Sequence, residues 1–292
     1  MPKLGAYIRL LRPKEYVKNL FVFFPLFFGG GMTRPELLLA GGLAFAAFCL
    51  AASAIYILND SLDREMDRNH PVKCRRPIAS GEVPLAAAAV IGAALACGAV
   101  ALAWANGFLP PLGAYLALNV VYSLYAKHVS ILDVSCVAAG FVLRVLAGTQ
   151  ATHYVTSSWL VLMVFLLTLF LALSKRWDDL SLQDREPERG MVRRCAAQYS
   201  KQFILSAITL LSTANTVCYI MYTLSPEVRA HLGSEHVFLS AFWVIIGNLR
   251  YLQIVLVSDD SGSPTKVMLR DTFIQCAVCC WVLHMAILIY LK

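Results

Sequence analysis

The 292-residue chain is 59% apolar and 15% charged, and its mean hydropathy is +0.65. Soluble domains are typically about 45–50% apolar and about 25% charged, so this composition excludes an ordinary soluble domain. The net charge of +7 lies mostly in the connections between long apolar runs. It therefore indicates membrane topology rather than a nucleic-acid-binding surface.

Apolar runs of membrane-spanning length recur along the whole chain. A spanning helix needs roughly 20 mostly apolar residues, and helices satisfy their own backbone groups in lipid. We therefore predict an all-α integral membrane protein, a bundle of about nine transmembrane helices in a single polytopic domain over residues 1–292. The predicted windows are 20–33, 37–58, 84–105, 108–126, 131–149, 157–174, 203–224, 236–257 and 272–291.

Basic residues concentrate on one side of these windows. Five Lys and Arg residues precede the first window, five lie in 59–83 and seven in 175–202, whereas the opposite connections hold Arg34 and Arg229. The positive-inside rule places the basic side in the cytoplasm. Arg144 lies inside the fifth window. A charge within the membrane is costly and usually faces a partner or a cavity, so we expect one for Arg144.

An acidic stretch, NDSLDREMD, occupies residues 59–67 at the end of the second window. If the helix continues, Asn59, Asp63 and Asp67 share one face and Asp60 joins it. Like charges at this spacing destabilise a helix, and a divalent cation reverses that effect. Mg²⁺ typically takes one or two carboxylates together with substrate phosphates. We predict that Asp60, Asp63 and Asp67 are catalytic metal ligands, with Asn59 beside them.

A basic loop, NHPVKCRRPIASG, follows at residues 69–81. Pro71 and Pro77 prevent a long helix there. Lys73, Arg75 and Arg76 follow the acids closely. Acids that hold a metal beside bases that hold an anion form a receptor for a metal–diphosphate.

The pattern NDxxDxxxD followed by HPxKxxRPxxSG resembles the first signature of the UbiA prenyltransferase superfamily. The resemblance implies a nine-helix membrane transferase. It also implies that the aspartates bind Mg²⁺ and a diphosphate leaving group at the cytoplasmic mouth of a lipid-facing cavity. The implied location is the inner membrane of a bacterium.

Three further stretches are similar to the decaprenyl-phosphate phosphoribosyltransferase branch of that family: RPKEYVKN at 12–19, YSLYAKHVSILD at 122–133 and SKRWDDL at 174–180. This similarity implies transfer of 5-phosphoribose from phosphoribosyl diphosphate to a polyprenyl phosphate. The alternative is a prenyltransferase that moves a prenyl group from its diphosphate to an aromatic acceptor. The superfamily's second aspartate motif is irregular here, at Asp178, Asp179 and Asp184, which disfavours the alternative.

A transporter that uses the acids as a cation gate is a third reading. Transport sites tend to lie near the membrane midplane, often between repeated halves. Here the acids lie at a predicted membrane exit, and the sequence shows no convincing repeat.

An anionic lipid acceptor needs cations at the membrane interface while its tail stays in the bilayer. Several polar residues near span ends are placed for that role, and all of them lie in the three stretches that resemble the phosphoribosyltransferase branch. The predicted substrate-binding residues outside the acidic and basic stretches are Lys18, Asn19, Tyr122, Lys127, Asp133, Lys175 and Arg176.

Overall fold

The structure is a computed structural model that describes residues 4–70, 72–185 (backbone alone for 182–185), 195, 198–258, 267–268 and 270–291. Every regular element in these ranges is helical, which confirms the predicted fold class. The α-helices are α1 Leu4–Leu11, α2 Phe24–Phe28, α3 Pro35–Leu62, α4 Arg64–Arg68, α5 Leu85–Ala105, α6 Leu109–Leu124, α7 Leu132–Thr152, α8 Ser158–Arg185, α9 Lys201–Leu224, α10 Pro226–Leu232, α11 Ala241–Gln253 and α12 Thr272–Tyr290. Tighter 3₁₀ stretches lie at Pro13–Phe23, Lys73–Arg75, Ala126–His128 and Glu235–Ser240.

Seven of the described helices are long and apolar enough to cross a membrane, so the chain is a multi-pass membrane protein. They correspond to seven of the nine predicted windows. The window 108–126 forms the shorter α6, and the count of nine spans stays a prediction. The seven spans are Pro35–Leu62, Leu85–Ala105, Leu132–Thr152, Ser158–Ser181, Lys201–Leu224, Glu235–Val257 and Thr272–Tyr290.

The first predicted window, 20–33, does not form one long helix. The 3₁₀ stretch Pro13–Phe23 runs into the five-residue α2, and turns follow from Gly29. Pro25 sits at the start of α2, where its missing N–H costs nothing, and Gly30 adopts a positive φ of 74°. An eleven-residue 3₁₀ run is unusual, because such runs rarely exceed three or four residues.

Helix α3 carries the acidic stretch at its end. Its 28 residues span about 42 Å, more than the roughly 30 Å of hydrocarbon in a bilayer, so one end extends beyond the apolar layer. Asp63 interrupts the helix with φ −91° and ψ 5°, and α4 begins at Arg64. The backbone hydrogen bonds Asp63 N to Asn59 O (2.9 Å) and Asp67 N to Asp63 O (2.8 Å) continue across this interruption.

The chain divides into two compact units. The first comprises Met1–Ala126 and Gly140–Thr156, and the second comprises Lys127–Ala139 and Ser157–Lys292. The single-domain organisation therefore stays a prediction.

The first unit has a core of large side chains set among small ones. The large members include Phe48, Phe108, Leu112 and Tyr115. Small residues let helices approach closely in a membrane. The alanines of this core are Ala44, Ala47, Ala51, Ala99, Ala103, Ala147 and Ala151.

The second unit is built around the buried residues Phe170, Ile204, Ile208 and Val255. Two of its helices, α9 and α12, begin with side-chain caps. The Ser200 hydroxyl accepts from Phe203 N, and the Asp271 carboxylate accepts from Ile274 N at 2.9 Å. Asp271 also pairs with Arg250 at 2.7 Å, and the hydrogen bonds from Arg250 hold the pKa of Asp271 below its usual value.

Candidate active site

Two aspartates of the acidic stretch meet two arginines. Arg12 Nη2 donates to both carboxylate oxygens of Asp60 at 2.6 Å. Arg76 Nη1 donates to Asp60 Oδ1 at 2.9 Å and to Asp67 Oδ2 at 2.7 Å. One guanidinium nitrogen therefore holds two carboxylates together. We call Arg12, Asp60, Asp67 and Arg76 the carboxylate–arginine cluster, and all four belong to the first unit.

The members of the cluster differ in exposure. The side chains of Asp60 and Asp67 are 3% and 4% exposed, whereas those of Arg12 and Arg76 are each 25% exposed. The formal charges of the four groups cancel, which makes the burial of the carboxylates tolerable. Arg12 is also held over the Tyr56 ring at 4.9 Å, and its backbone is left-handed, with φ 54°.

Among the described residues, Asp60, Asp63 and Asp67 do not form a three-carboxylate metal site. Within the part of the chain that is described, no three His, Cys, Asp or Glu side chains form a metal-binding group. Asp60 and Asp67 instead place two carboxylate oxygens on one cationic nitrogen. Two hard oxygen donors, completed by substrate phosphates and water, are a donor set that Mg²⁺ accepts. The cluster therefore fits a magnesium ion through two carboxylates, and the metal-ligand role of Asp63 stays a prediction.

Five further predicted residues belong to the first unit. Asn59, Asp63, Lys73 and Tyr122 are partly buried and each interacts with other groups of the protein. Arg75 is exposed. The substrate-binding roles predicted for Asn59, Lys73, Arg75 and Tyr122 stay predictions, as does the metal-ligand role of Asp63.

Lys18 and Asn19 lie in the 3₁₀ stretch Pro13–Phe23. Lys18 pairs with Glu15, three residues earlier. Asn19 is fully buried, and its amide donates to Cys49 Sγ at 3.2 Å. The position of Asn19 therefore indicates a structural role.

The guanidinium group of Arg144, inside the predicted fifth span, donates hydrogen bonds to three residues, one of which is Asn19. Arg144 Nε donates to Asn19 Oδ1 at 2.8 Å, Nη1 to Gly140 O at 2.7 Å, and Nη2 to the Tyr115 hydroxyl at 3.2 Å. The rings of Tyr115 and Phe141 lie 4.7 and 5.1 Å from the guanidinium carbon. Neutral oxygens and aromatic faces thus hold this buried cation, and they tie α7 to the Pro13–Phe23 stretch.

We expect Arg144→Lys to destabilise the protein although it keeps the charge. A lysine ammonium cannot reproduce the three bonds that the planar guanidinium makes in different directions. Losing two of them should cost about 3 kcal/mol. The apparent thermal unfolding midpoint in detergent measures this loss. Arg34→Lys, at an exposed arginine, is the matched control and should leave the midpoint unchanged. Equal midpoints for the two variants would show that the network contributes little.

A second polar cluster lies in the second unit. Asp133 is fully buried, and its carboxylate accepts from Arg176 Nε at 2.7 Å and from the Tyr199 hydroxyl at 2.8 Å. The Tyr199 oxygen also accepts from Ile131 N at 2.6 Å, where φ is a strained 68°. Burial raises the pKa of Tyr199, so this hydroxyl remains a donor. Asp133 and Arg176, predicted to bind substrate, are thus internal partners that fix the loop before α7.

Lys127 and Lys175 are partly buried and interact with other groups of the protein. Asp179 is bound by Arg176 Nη1 at 2.8 Å. The side chain of Asp184 lies outside the described residues. One acid of the irregular second aspartate stretch is therefore paired with a cation of its own helix.

Sequence reasoning missed Arg12, Tyr115 and Tyr199 as partners of predicted residues. Arg12 lies in the stretch 12–19, which is similar to the phosphoribosyltransferase branch. That similarity could have identified Arg12 as a candidate site residue. The two tyrosines carried no such signal, because their partners are far away in the sequence.

The fold and the cluster define a multi-pass membrane protein with a buried carboxylate pair held by arginines at a helix end. The model of the UbiA prenyltransferase family matches residues 20–276, so the chain belongs to this family and is a membrane transferase. Three of the four cluster residues fall within the matched range. Arg12 precedes it.

Relatives of similar length carry a more specific name. The chain is 31% identical to a decaprenyl-phosphate phosphoribosyltransferase from Mycolicibacterium smegmatis, covering 96% of this chain and 91% of the relative. It is 32% identical to one from Corynebacterium glutamicum, covering 97% and 86%.

A solved structure shares the fold. The UbiA homolog from Archaeoglobus fulgidus bound to GPP and Mg²⁺ superposes with a TM-score of 0.72, at 19% identity, over 97% of this chain and 99% of that one. At this identity the likeness establishes the architecture alone.

Proposed function

We propose that the protein transfers 5-phosphoribose from phosphoribosyl diphosphate to a polyprenyl phosphate and releases diphosphate, with Mg²⁺ as cofactor. The observation that carries the proposal is the carboxylate–arginine cluster, in a chain similar over nearly its full length to decaprenyl-phosphate phosphoribosyltransferases. The cluster supplies carboxylates for a metal and guanidinium groups for diphosphate oxygens. We place this chemistry on the cytoplasmic side of a bacterial inner membrane, following the distribution of basic residues.

The reaction needs charge neutralisation more than proton transfer. An oxygen of the acceptor phosphate attacks the anomeric carbon of ribose. The bond from that carbon to the diphosphate oxygen breaks, and diphosphate leaves with the electron pair. Bound Mg²⁺ would offset the charge that develops on the leaving group. Asp60 and Asp67 would hold the metal, while Arg12 and Arg76 would orient the diphosphate.

The lipid phosphate requires separate cations. We assign Lys127 and Lys175, both in the second unit, to the acceptor headgroup. The interfacial roles of Lys18 and Tyr122, in the first unit, stay predictions. Lys73 and Arg75, next to Arg76 in the loop, are assigned to the phosphates of the donor. We assign structural roles to Asn19, Asp133 and Arg176. Their buried contacts stabilise the unit to which each belongs, and they do not contact substrate.

The competing reading, prenyl transfer to an aromatic acceptor, takes its support from the GPP bound to the Archaeoglobus fulgidus homolog. Purified protein with Mg²⁺ and polyprenyl phosphate should be given ribose-labelled phosphoribosyl diphosphate. Parallel reactions should contain labelled geranyl diphosphate with an aromatic acid. We expect label in the lipid fraction from the first donor and no prenylated product from the second. The reverse pattern would establish the prenyltransferase.

Lys127→Ala should raise the KM for polyprenyl phosphate more than the KM for phosphoribosyl diphosphate. The reason is that the ammonium group is assigned to the acceptor phosphate and not to the donor. Loss of one such charged contact is worth about 1.5–3 kcal/mol, or roughly tenfold or more in apparent affinity. Lys14→Ala, at an exposed lysine, serves as the control. Equal increases in both KM values would refute the assignment.

A further inference from the structure

We infer that Arg76, with Arg12, occupies the cation position of the Asp60–Asp67 pair when substrate is absent, so that metal and diphosphate bind efficiently only together. The inference rests on the proposed function, because it assigns the diphosphate to the carboxylate–arginine cluster. It goes further by giving the two arginines a second task. They are competitors of the metal before binding and ligands of the diphosphate afterwards.

The contacts show why the guanidinium groups compete with a metal. Arg76 Nη1 lies within 2.9 Å of one oxygen from each carboxylate, the position from which a single cation contacts both. Arg12 Nη2 takes both oxygens of Asp60 at 2.6 Å. A metal that uses these oxygens must therefore displace strong, charge-assisted hydrogen bonds.

The charge balance determines what happens next. The two arginines and two aspartates sum to zero. A bound Mg²⁺ raises the sum to +2 around carboxylates that are almost completely buried. Excess charge in such a place is costly unless it is compensated. A diphosphate provides that compensation and gives the displaced guanidinium groups new acceptor oxygens. Each ligand should therefore strengthen the binding of the other.

Both arginines are placed to move. Arg76 follows the 3₁₀ turn Lys73–Arg75, and Arg12 connects α1 to the stretch Pro13–Phe23, so neither is inside a long helix. Each side chain is a quarter exposed, unlike the carboxylates they hold.

The inference predicts effects of opposite sign from one substitution. Arg76→Gln removes the competing cation and leaves the cluster with a net charge of −1. The variant should therefore bind a divalent cation alone more tightly than the wild type, by about tenfold or more. It should bind diphosphate in the presence of metal more weakly by a similar factor, because a diphosphate ligand is gone. Arg12→Gln should act in the same two directions.

The test uses the purified full-length protein in detergent and needs no turnover. Free Mn²⁺ measured by electron paramagnetic resonance gives the affinity for metal alone. Equilibrium dialysis of labelled inorganic pyrophosphate at a fixed free Mg²⁺ concentration gives the affinity for diphosphate. Arg9→Gln is the matched control, since Arg9 pairs with Glu82 at an exposed position of the same unit. Both affinities should stay at the wild-type value in that variant.

Arg12→Gln serves as the second probe if Arg76→Gln does not fold. Unchanged or weaker Mn²⁺ binding in the folded variants would overturn the inference, as would undiminished pyrophosphate binding. If the variants bind Mn²⁺ more tightly and pyrophosphate more weakly, but the wild type transfers no phosphoribose, the proposed function is overturned and the inference stands. If the wild type transfers phosphoribose but the two affinities do not change in opposite directions, the inference is overturned and the proposed function stands.

Discussion

Asp67→Asn should reduce turnover by orders of magnitude while the protein still folds. The substitution keeps the shape of the side chain and removes one carboxylate from the pair on Arg76. Loss of a metal ligand should cost several kcal/mol in the transition state, and about 1.4 kcal/mol corresponds to tenfold in rate. Phosphoribosyl transfer per folded protein measures the effect. We expect a decrease of about a thousandfold, with the elution volume in detergent unchanged.

The matched control is Glu65→Gln on the same short helix, α4. Glu65 is exposed and pairs with Arg68 across one turn of the helix. Exposed pairs of this kind contribute about 0–1 kcal/mol, so both stability and turnover should stay near wild type. Normal turnover in Asp67→Asn would remove the cluster from the reaction. An equal loss in both variants would point to damage of α4 instead.

Gly148→Ala should have the largest effect on folding. A Cβ at position 148 would lie 1.9 Å from the Val22 carbonyl oxygen, which belongs to the backbone and cannot rotate away. The helix α7 and the stretch Pro13–Phe23 would have to separate, and this would also disturb the bond from Arg144 to Asn19. The free energy of unfolding should fall by about 4 kcal/mol or more, because a packed core would have to shift. We expect a large loss of folded protein, measured by fluorescence-detected size exclusion.

A second helical glycine provides the comparison. Gly113 in α6 has nothing within 4 Å of an added Cβ. Gly113→Ala should therefore be neutral or stabilise the protein by about 0.5–1 kcal/mol, because alanine has the higher helix propensity. If Gly148→Ala is as well expressed and as stable as Gly113→Ala, the close contact with Val22 is not a feature of the folded protein.

Most of the fold could be predicted because lipid imposes a simple rule on each span. The windows 84–105 and 203–224 fall within a few residues of α5 and α9. The window 20–33 failed because its apolar composition carries no information about tertiary contacts. The turns from Gly29 shorten the second helix, and side-chain contacts such as that of Asn19 with Arg144 fix the irregular stretch before it.

The candidate site could be predicted where its residues are neighbours in the sequence. Helical spacing predicted that Asp60 and Asp67 lie on one face, and Arg76 follows Asp67 by nine residues. Arg12 is 48 residues from Asp60, and Asn19 is 125 residues from Arg144. Single-sequence patterns do not encode contacts across such separations. The same limit explains why Asp133 and Arg176, predicted to bind substrate, were not foreseen as a buried pair.

The most direct test of the central claim measures both products of one reaction. Purified wild-type protein with Mg²⁺ receives ribose-labelled phosphoribosyl diphosphate and polyprenyl phosphate, and lipid-extractable label and free diphosphate are counted together. The proposed function predicts one diphosphate for each labelled lipid, complete loss of both with a chelator, and recovery when Mg²⁺ is restored. Label that stays in the aqueous phase, or full activity in the chelator, would contradict it.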